Sequence, residues 1–461
     1  MKNARQEPDL SLPVRSGGPA RLAAWAGLDF HVVGTLLFRG WTVMAGAITV
    51  VLLPLWLSPV QQGYYYTFAS ILALQVFFEL GLNQIVVQLV GHEAARLTRG
   101  DAGDLQGDAV HLDRLGSLAR LMRRWYGTAA SIFVVVGGAA GVLFFSAKGV
   151  LQRDAWLGAW LVLATATAAN LYLSPGLAMM EGLGQVGQVA RVRLRQSVAG
   201  YLGLWMALLG GAGLWAAVAM PVAAAISTAW WLRTHGAPLR RLAARDVPPA
   251  RRLQWRRDVL PFQWRIALSW VSGYFIFNLF TPLVFSHDGA VVAGRLGLGL
   301  TVFNAVSTVG MSWISAANPV LAAHIARGER AQLDALFAAV AKRAVAATAV
   351  ISVGVLVAAW LLDRAGVHAI ARIASLPVLA CIAWVTVVNS VVFAAAAYMR
   401  AHREEPMLPV SLAGAALTGA VAVFGSRAGV VPMMAMYAAV TTCVTLPWTL
   451  ALFVRYSRRV A

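Results

Sequence analysis

The sequence predicts an all-α polytopic membrane protein: about twelve transmembrane helices in two six-helix lobes around a central cavity, with both termini cytoplasmic. Three observations predict it. Hydrophobic residues make up 59% of the 461 and charged residues only 12%, about half the roughly 25% charge of a soluble domain. Apolar runs of about 20 residues, the length that crosses a bilayer, recur along the whole chain. The formal charge of +19 falls mostly in alternate loops. A soluble chain of this composition would lack polar residues to cover its surface. Soluble enzymes, disulfide scaffolds and disordered chains are thereby excluded.

In chain order, residues 1–35 read as a cytoplasmic tail. It holds Glu7, Asp9 and Asp29 and no apolar signal-peptide core. The N-lobe, 36–232, carries six runs: Leu36–Leu57, Tyr64–Leu89, Tyr126–Phe145, Trp156–Met180, Ser197–Gly213 and Trp215–Leu232. Only Gly210-Gly211-Ala212-Gly213 divides the fifth from the sixth. Between the second and third, Gly91–Trp125 mixes His111, Leu112, Leu115, Leu118, Leu121 and Met122 with charges, the pattern of an interfacial amphipathic helix. A basic cytoplasmic linker, 233–261, follows. The C-lobe, 262–454, carries Phe262–Phe285, Ala293–Leu321, Ala344–Leu362, Ser375–Met399, Met407–Phe424 and Val430–Phe453, and 455–461 form a short cytoplasmic tail.

The charges fix the orientation. With the amino terminus inside, 32 of the 38 Lys and Arg lie on that side. The other six are Lys148, Arg153, Arg295, Arg364, Arg372 and Arg427. The positive-inside rule places both termini in the cytoplasm. Basic residues spread over many short loops are a topology signal and predict no nucleic-acid partner. Duplication is suggested by Arg39 and Gly63, 24 apart in the first spans, and Arg265 and Gly289, 24 apart in the seventh. Pro54 and Pro282 sit near the outer ends of the same two spans.

Chemistry is sparse. Cys381 and Cys443 sit in apolar runs, with no Cys/His cluster, so no metal or cofactor is expected. No phosphate-binding Gly-rich loop, HExxH or nucleophile–base pair occurs, and no enzyme activity is expected. Ionisable residues inside a membrane are functional candidates by default. Here they are Arg39, Glu79, Arg265 and Arg295, with Glu181 at a helix end. Arg39 and Arg265 either snorkel to the interface or face the cavity and hold a diphosphate, whose oxygens suit the guanidinium fork. Arg295 opens the eighth span on the outer side, where Asp288 could pair with it. Gln75, Glu79 and Asn83 fall at i, i+4, i+8 and share one helix face. They read as an interhelical lock or as a cavity wall, with Glu79 pairing an Arg or carrying a coupling proton. Trp270, Tyr274 and Asn278 repeat that spacing in the seventh span, and Thr301, Asn304, Thr308, Ser312, Ser315 and Asn318 line the eighth. Aromatic and amide faces suit sugar recognition. Gln61-Gln62-Gly63-Tyr64-Tyr65-Tyr66 reads as an aromatic belt at the outer interface.

The stretch Arg39-Gly40-Trp41 through Leu53-Pro54-Leu55-Trp56-Leu57-Ser58-Pro59-Val60-Gln61-Gln62-Gly63-Tyr64 resembles the start of bacterial Wzx-type polysaccharide flippases. Pro261-Phe262-Gln263-Trp264-Arg265 carries the resemblance in the seventh span. The wider group includes MATE-type multidrug exporters and the lipid II flippase. The resemblance implies a multi-pass protein of the bacterial inner membrane. It would move an undecaprenyl-diphosphate-linked oligosaccharide from the cytoplasmic to the periplasmic leaflet by alternating access, alongside polysaccharide polymerase and other assembly proteins. On this reading Arg39, Arg265 and Arg295 meet the head group. Gln75, Asn83, Trp270, Tyr274 and Asn278 meet the sugar, Glu79 couples an ion, and membrane lipids surround the tail. The alternatives are a cation-coupled multidrug exporter and, behind it, a membrane polysaccharide polymerase or ligase.

Overall fold

The computed structural model describes residues 30–99, 105–402 and 406–459, without the side chains of residues 30–39, Arg99, Arg256, Asp258, Pro261 and Phe262. Most of the expected tail 1–35 and the end of 455–461 thus lie outside the described residues. The chain is an all-α, polytopic membrane protein. Among the described residues, ten helical segments are long and apolar enough to cross a membrane, and Gly40–Trp56 adds a shorter apolar helix.

The first half contains α1 Phe30–Trp56, α2 Pro59–Leu72, α3 Val76–Glu79, α4 Leu82–Ala94, α5 Ala109–Lys148, α6 Arg153–Gly182, α7 Val186–Leu209, α8 Ala219–His235 and α9 Ala237–Ala244. The second half contains α10 Leu260–Phe277, α11 Phe280–Asp288, α12 Ala290–Arg327, α13 Arg330–Arg364, α14 Leu376–Ala401, α15 Leu408–Gly425, α16 Val430–Val440 and α17 Leu446–Arg459. A hairpin of β1 Leu97–Arg99 and β2 Leu105–Gly107 joins α4 to α5. Local chemistry sets the boundaries. Ser58 and Gln61 form a reciprocal capping box with Pro59 in the first turn, which starts α2.

Two expected continuous runs are broken. The run 64–89 passes through a 3-10 turn at Ala73–Gln75 and stops at Leu80 (φ 50°) and Gly81 (φ 68°) before α4 resumes. Gly81 adopts this left-handed backbone without steric cost; Leu80 does so under strain. The run 262–285 breaks at Asn278–Leu279. Pro282 has no N–H for the carbonyl four residues back, that of Asn278, and its ring crowds that carbonyl.

Two other expectations are corrected. The α5 helix is 40 residues long, about 60 Å against a hydrocarbon core of about 30 Å. Its first turns therefore stand clear of the bilayer core. Residues 91–125 form no separate helix on the lipid surface. Leu112, Asp113, Leu115 and Leu118 are buried, and Leu242 of α9 sits over Gly116. The carboxylate of Asp113, buried in this contact, takes Arg245 and Arg251 of the linker at 3.3 Å each. The indoles of Trp125 and Trp255 stack at 5.5 Å. Nor do Tyr64 and Tyr66 form a belt. They are 0% and 7% exposed; Tyr64 packs among Phe68, Phe145 and Phe285 and accepts a hydrogen bond from the Leu151 N–H at 3.1 Å.

The bundle has two dissimilar ends. The linker end carries the β-hairpin, α9 and the residues up to α10. The α17 helix also finishes there, where the Arg330 guanidinium donates to the Ser457 carbonyl. The α1 helix packs along α7, with Trp41 against Tyr201, Thr49 bonded to Trp205, and Leu53 and Leu57 clustered with Leu208. The short-loop end carries residues 57–58, 149–152, 210–218, 365–375 and 426–429.

Candidate functional site

The two halves close against each other at the short-loop end through small residues of α2 and α12. A Cβ on Gly63 would lie 1.9 Å from the Ala290 carbonyl oxygen, and one on Gly294 2.7 Å from the Gly63 nitrogen. Glycine alone permits this backbone-on-backbone approach. The Gln62 amide donates to the carbonyls of Gly294 and Arg372, each at 2.9 Å. The Arg372 guanidinium donates to the Leu57 carbonyl at 2.6 Å. Burial, with the like charge of Arg295 close by, lowers the Arg372 guanidinium from its usual value. Gly63 is thus the contact point itself, against Ala290 and Gly294 of α12.

Toward the linker end α1 and α12 part. Among the described residues they share one apolar cluster, with Val50, Leu52, Leu53 and Leu57 of α1 and Leu298 of α12. Beyond it α12 exposes Asn304, Thr308, Ser315 and Asn318, one face of the helix. Exposed amide and hydroxyl side chains in the middle of a span do not face hydrocarbon. They form a polar strip along α12 that runs from the closure toward the linker end, with the Thr308 and Ser315 hydroxyls bonded to the Asn304 and Met311 carbonyls.

Spans two and seven meet around the break of span two. Phe77 lies edge-on to Tyr274 and Phe275 at 5.3 and 6.0 Å. A Cβ on Gly81 would lie 2.5 Å from Ile266 and 3.4 Å from the Trp270 Nε1. Asn83 organises the polar side. Its Nδ2 donates to Glu79 Oε1 at 2.7 Å and to the Ser174 hydroxyl at 3.0 Å, and its Oδ1 accepts from the Tyr126 hydroxyl at 3.1 Å. The Asn83 network, with Glu79, Ser174 and Tyr126, thus lies within the first half, while Tyr274 and Trp270 of the second half meet the neighbouring Phe77 and Gly81. Tyr274 is buried and Trp270 is exposed. Asn278 sits at the break of span seven, its N–H bonded to the Tyr274 carbonyl at 2.8 Å. Gln75 lies in the 3-10 turn of span two, half-buried and outside this network.

The charged candidates are less clustered. Glu79 pairs with Asn83 and with no arginine among the described residues. Arg265 is exposed, its guanidinium 5.3 Å from the ring of Trp264. Arg295 lies at the other end of the bundle, near Arg372, and among the described residues no ion pair joins it to Asp288. Glu181 takes Arg193 at 2.7 Å. The side chain of Arg39 lies outside the described residues. No group of His, Cys, Asp and Glu suited to a metal is present among the described residues.

Residues that the spacing argument passed over are Leu80, Gly81, Gln62 and Gly294. An isolated Gly after Glu79 and a Pro four residues after Asn278 were the available signals for the two breaks. The role of Gln62 had no local signal, because its partners are 232 and 310 residues away.

No family model matches the sequence, and no curated protein matches it. Solved structures do. An inward-facing MATE-family multidrug resistance transporter of the MOP superfamily aligns with 90% of this chain and 100% of its own, with a TM-score of 0.57 at 13% identity. The lipid II flippase MurJ, in an inward closed conformation, aligns with 93% and 90%, with a TM-score of 0.60 at 10% identity. The MATE multidrug transporter DinF-BH aligns with 92% and 94%, with a TM-score of 0.52 at 13% identity. The chain has the fold shared by these MATE transporters and the lipid II flippase MurJ.

Proposed function

We propose that the protein is a flippase of the bacterial inner membrane. It moves an undecaprenyl-diphosphate-linked oligosaccharide from the cytoplasmic to the periplasmic leaflet for surface polysaccharide assembly. What supports the reading is the closure of α2 on α12 at the short-loop end together with the polar strip that α12 exposes toward the linker end, which we read as one wall of a cleft open at that end. The charge asymmetry assigns the linker end to the cytoplasm, where the substrate is made. The lining suits sugar: amides and hydroxyls of α12 on one wall, Trp270 with the Asn83 network on the other. Gln75 and Asn278 flank that wall. Arg39 and Arg265, near the cytoplasmic ends of spans one and seven, hold the diphosphate. Arg295, at the periplasmic end, receives it as the cleft reverses. The lipid tail stays in the bilayer between the two lobes, 36–232 and 262–454. Glu79, a mid-membrane carboxylate with no cationic partner among the described residues, carries the coupling proton.

The fold also supports export of small cationic amphiphiles. Glu79, the mid-span carboxylate of span two, is already bonded to Asn83, so a cationic cargo has little to pair with. Arg39→Ala and Arg265→Ala should each abolish surface polysaccharide in a cell that depends on this protein, at unchanged protein level. Normal polymer in both variants contradicts the assigned diphosphate site.

A further inference from the structure

A groove unrelated to the cleft lies on the flank of the first half, at the linker end. It is formed by α5, α6, α8 and α9 and encloses about 730 Å³, within the roughly 300–1,000 Å³ of small-molecule sites. None of its lining comes from α1–α4 or from the second half. Three features of the sequence build it. Gly176 follows Pro175 and presents no side chain, so the Leu232 side chain lies 2.7 Å from where its Cβ would be. Gly236 lets the chain turn tightly between α8 and α9, since a Cβ there would meet the Leu232 carbonyl at 2.3 Å. The α9 helix then folds back, anchored by Leu242, and closes the linker end of the groove. The walls are apolar: Met122, Tyr172, Leu173, Met179, Leu232 and Leu239.

The rim is cationic. Arg123, Arg233 and Arg240 line the groove, and no acidic residue does. Arg240 donates one N–H to the Leu232 carbonyl at 2.9 Å, leaving four of the five donors of a guanidinium. Arg123 and Arg233 are exposed and have neither an ion pair nor a hydrogen bond among the described residues. The side chains of Ile226 and Trp230, on α8 beside the groove, are 64% and 56% exposed, as expected of a bilayer-facing surface with an interfacial Trp. An apolar slot at the membrane edge under three arginines is complementary to one kind of molecule. It needs an acyl chain and a phosphate.

We infer that this groove binds an anionic glycerophospholipid of the cytoplasmic leaflet, its acyl chain along α6 and α8 and its phosphate between Arg123, Arg233 and Arg240. Basic pockets between transmembrane helices on the cytoplasmic side hold such head groups, and the guanidinium fork matches two phosphate oxygens at once. The site is separate from the proposed flipping path and stands whatever that path carries.

Native mass spectrometry of the purified full-length protein, delipidated in detergent and titrated with phosphatidylglycerol or phosphatidylcholine, tests the inference. A one-to-one phosphatidylglycerol adduct should form that phosphatidylcholine does not match. The Arg123→Gln, Arg233→Gln double variant should weaken it by about tenfold or more, the loss of a charge-assisted contact. Arg233→Lys should retain most of the binding. Ala229→Trp, which fills the groove and keeps every charge, should weaken it as the double variant does. The unfolding temperature of each lipid-free variant shows that the fold is kept. Equal phosphatidylglycerol binding by wild type and both blocking variants would overturn the site. Equal binding of the two lipids would overturn the charge argument. Full displacement by millimolar inorganic phosphate, with Ala229→Trp unaffected, would show an anion site with no lipid in it.

Discussion

Asn83 uses both ends of its carboxamide, bonding Glu79, Ser174 and Tyr126. Asn83→Ala strands a half-buried carboxylate and the Tyr126 hydroxyl, while Ser174 keeps its bond to the Leu171 carbonyl. The expected loss is about 1–3 kcal/mol, visible as a lower unfolding temperature in detergent. Glu79→Gln keeps an acceptor for Asn83, so its unfolding temperature should stay near wild type. Its transport should lose dependence on the proton gradient; an unaltered dependence excludes Glu79 as the coupling residue. The pairing of Glu79 with Asn83 was legible as a spacing of four residues. The place of Gln75 was not. The stripe presumes about 100° of rotation per residue, and the 3-10 turn at Ala73–Gln75 winds about 120°. For Arg295, sequence gives a place on a span but no distance to Arg265 or Asp288.

Hydropathy located the spans and missed their interruptions. An apolar run looks continuous whether or not its backbone hydrogen bonds are, so 64–89 and 262–285 read as single helices. The break at Leu80–Gly81 lies between Glu79 and Asn83, and that at Asn278–Leu279 follows Tyr274 by one turn. Discontinuous helices of this kind mark binding sites in transporters. Pro282→Ala restores the missing N–H, and amide exchange over 278–282 should slow as span seven becomes continuous. Unchanged exchange would show that Pro282 does not cause the break. Gly81→Ala forces a side chain into φ 68° against Ile266 and should cost about 1–2 kcal/mol, read from the unfolding temperature. The linker-end segments were misread because an amphipathic pattern does not name its partner. The apolar face of α5 around Leu115 is covered by α9 instead of lipid, because Asp113 and Gly116 hold the linker there.

At the scale of the molecule, composition disclosed an all-α membrane protein, and the charge asymmetry supplies the orientation expected of it. The closure of α2 on α12 was hidden, since it joins residues 232 positions apart. Gln62→Ala removes two hydrogen bonds across that closure. At about 1 kcal/mol each, their loss shifts a two-state equilibrium about thirtyfold toward opening at the short-loop end. Spin labels placed at Val150 and Val367, both exposed, in a variant lacking Cys381 and Cys443, should report a longer distance population. An unchanged distribution would mean that these bonds do not hold the closure.

The central claim is that the cleft carries a lipid-linked diphosphate sugar across the bilayer. Its most direct measurement uses purified protein in sealed vesicles loaded with a fluorescent undecaprenyl-diphosphate oligosaccharide, and follows the appearance of the sugar on the opposite face. The account predicts that wild-type protein accelerates the crossing far above protein-free vesicles and that the Arg39→Ala, Arg265→Ala double variant returns it to that background. A crossing rate equal to the background for wild type, in vesicles where the same protein extrudes a cationic dye, would contradict it.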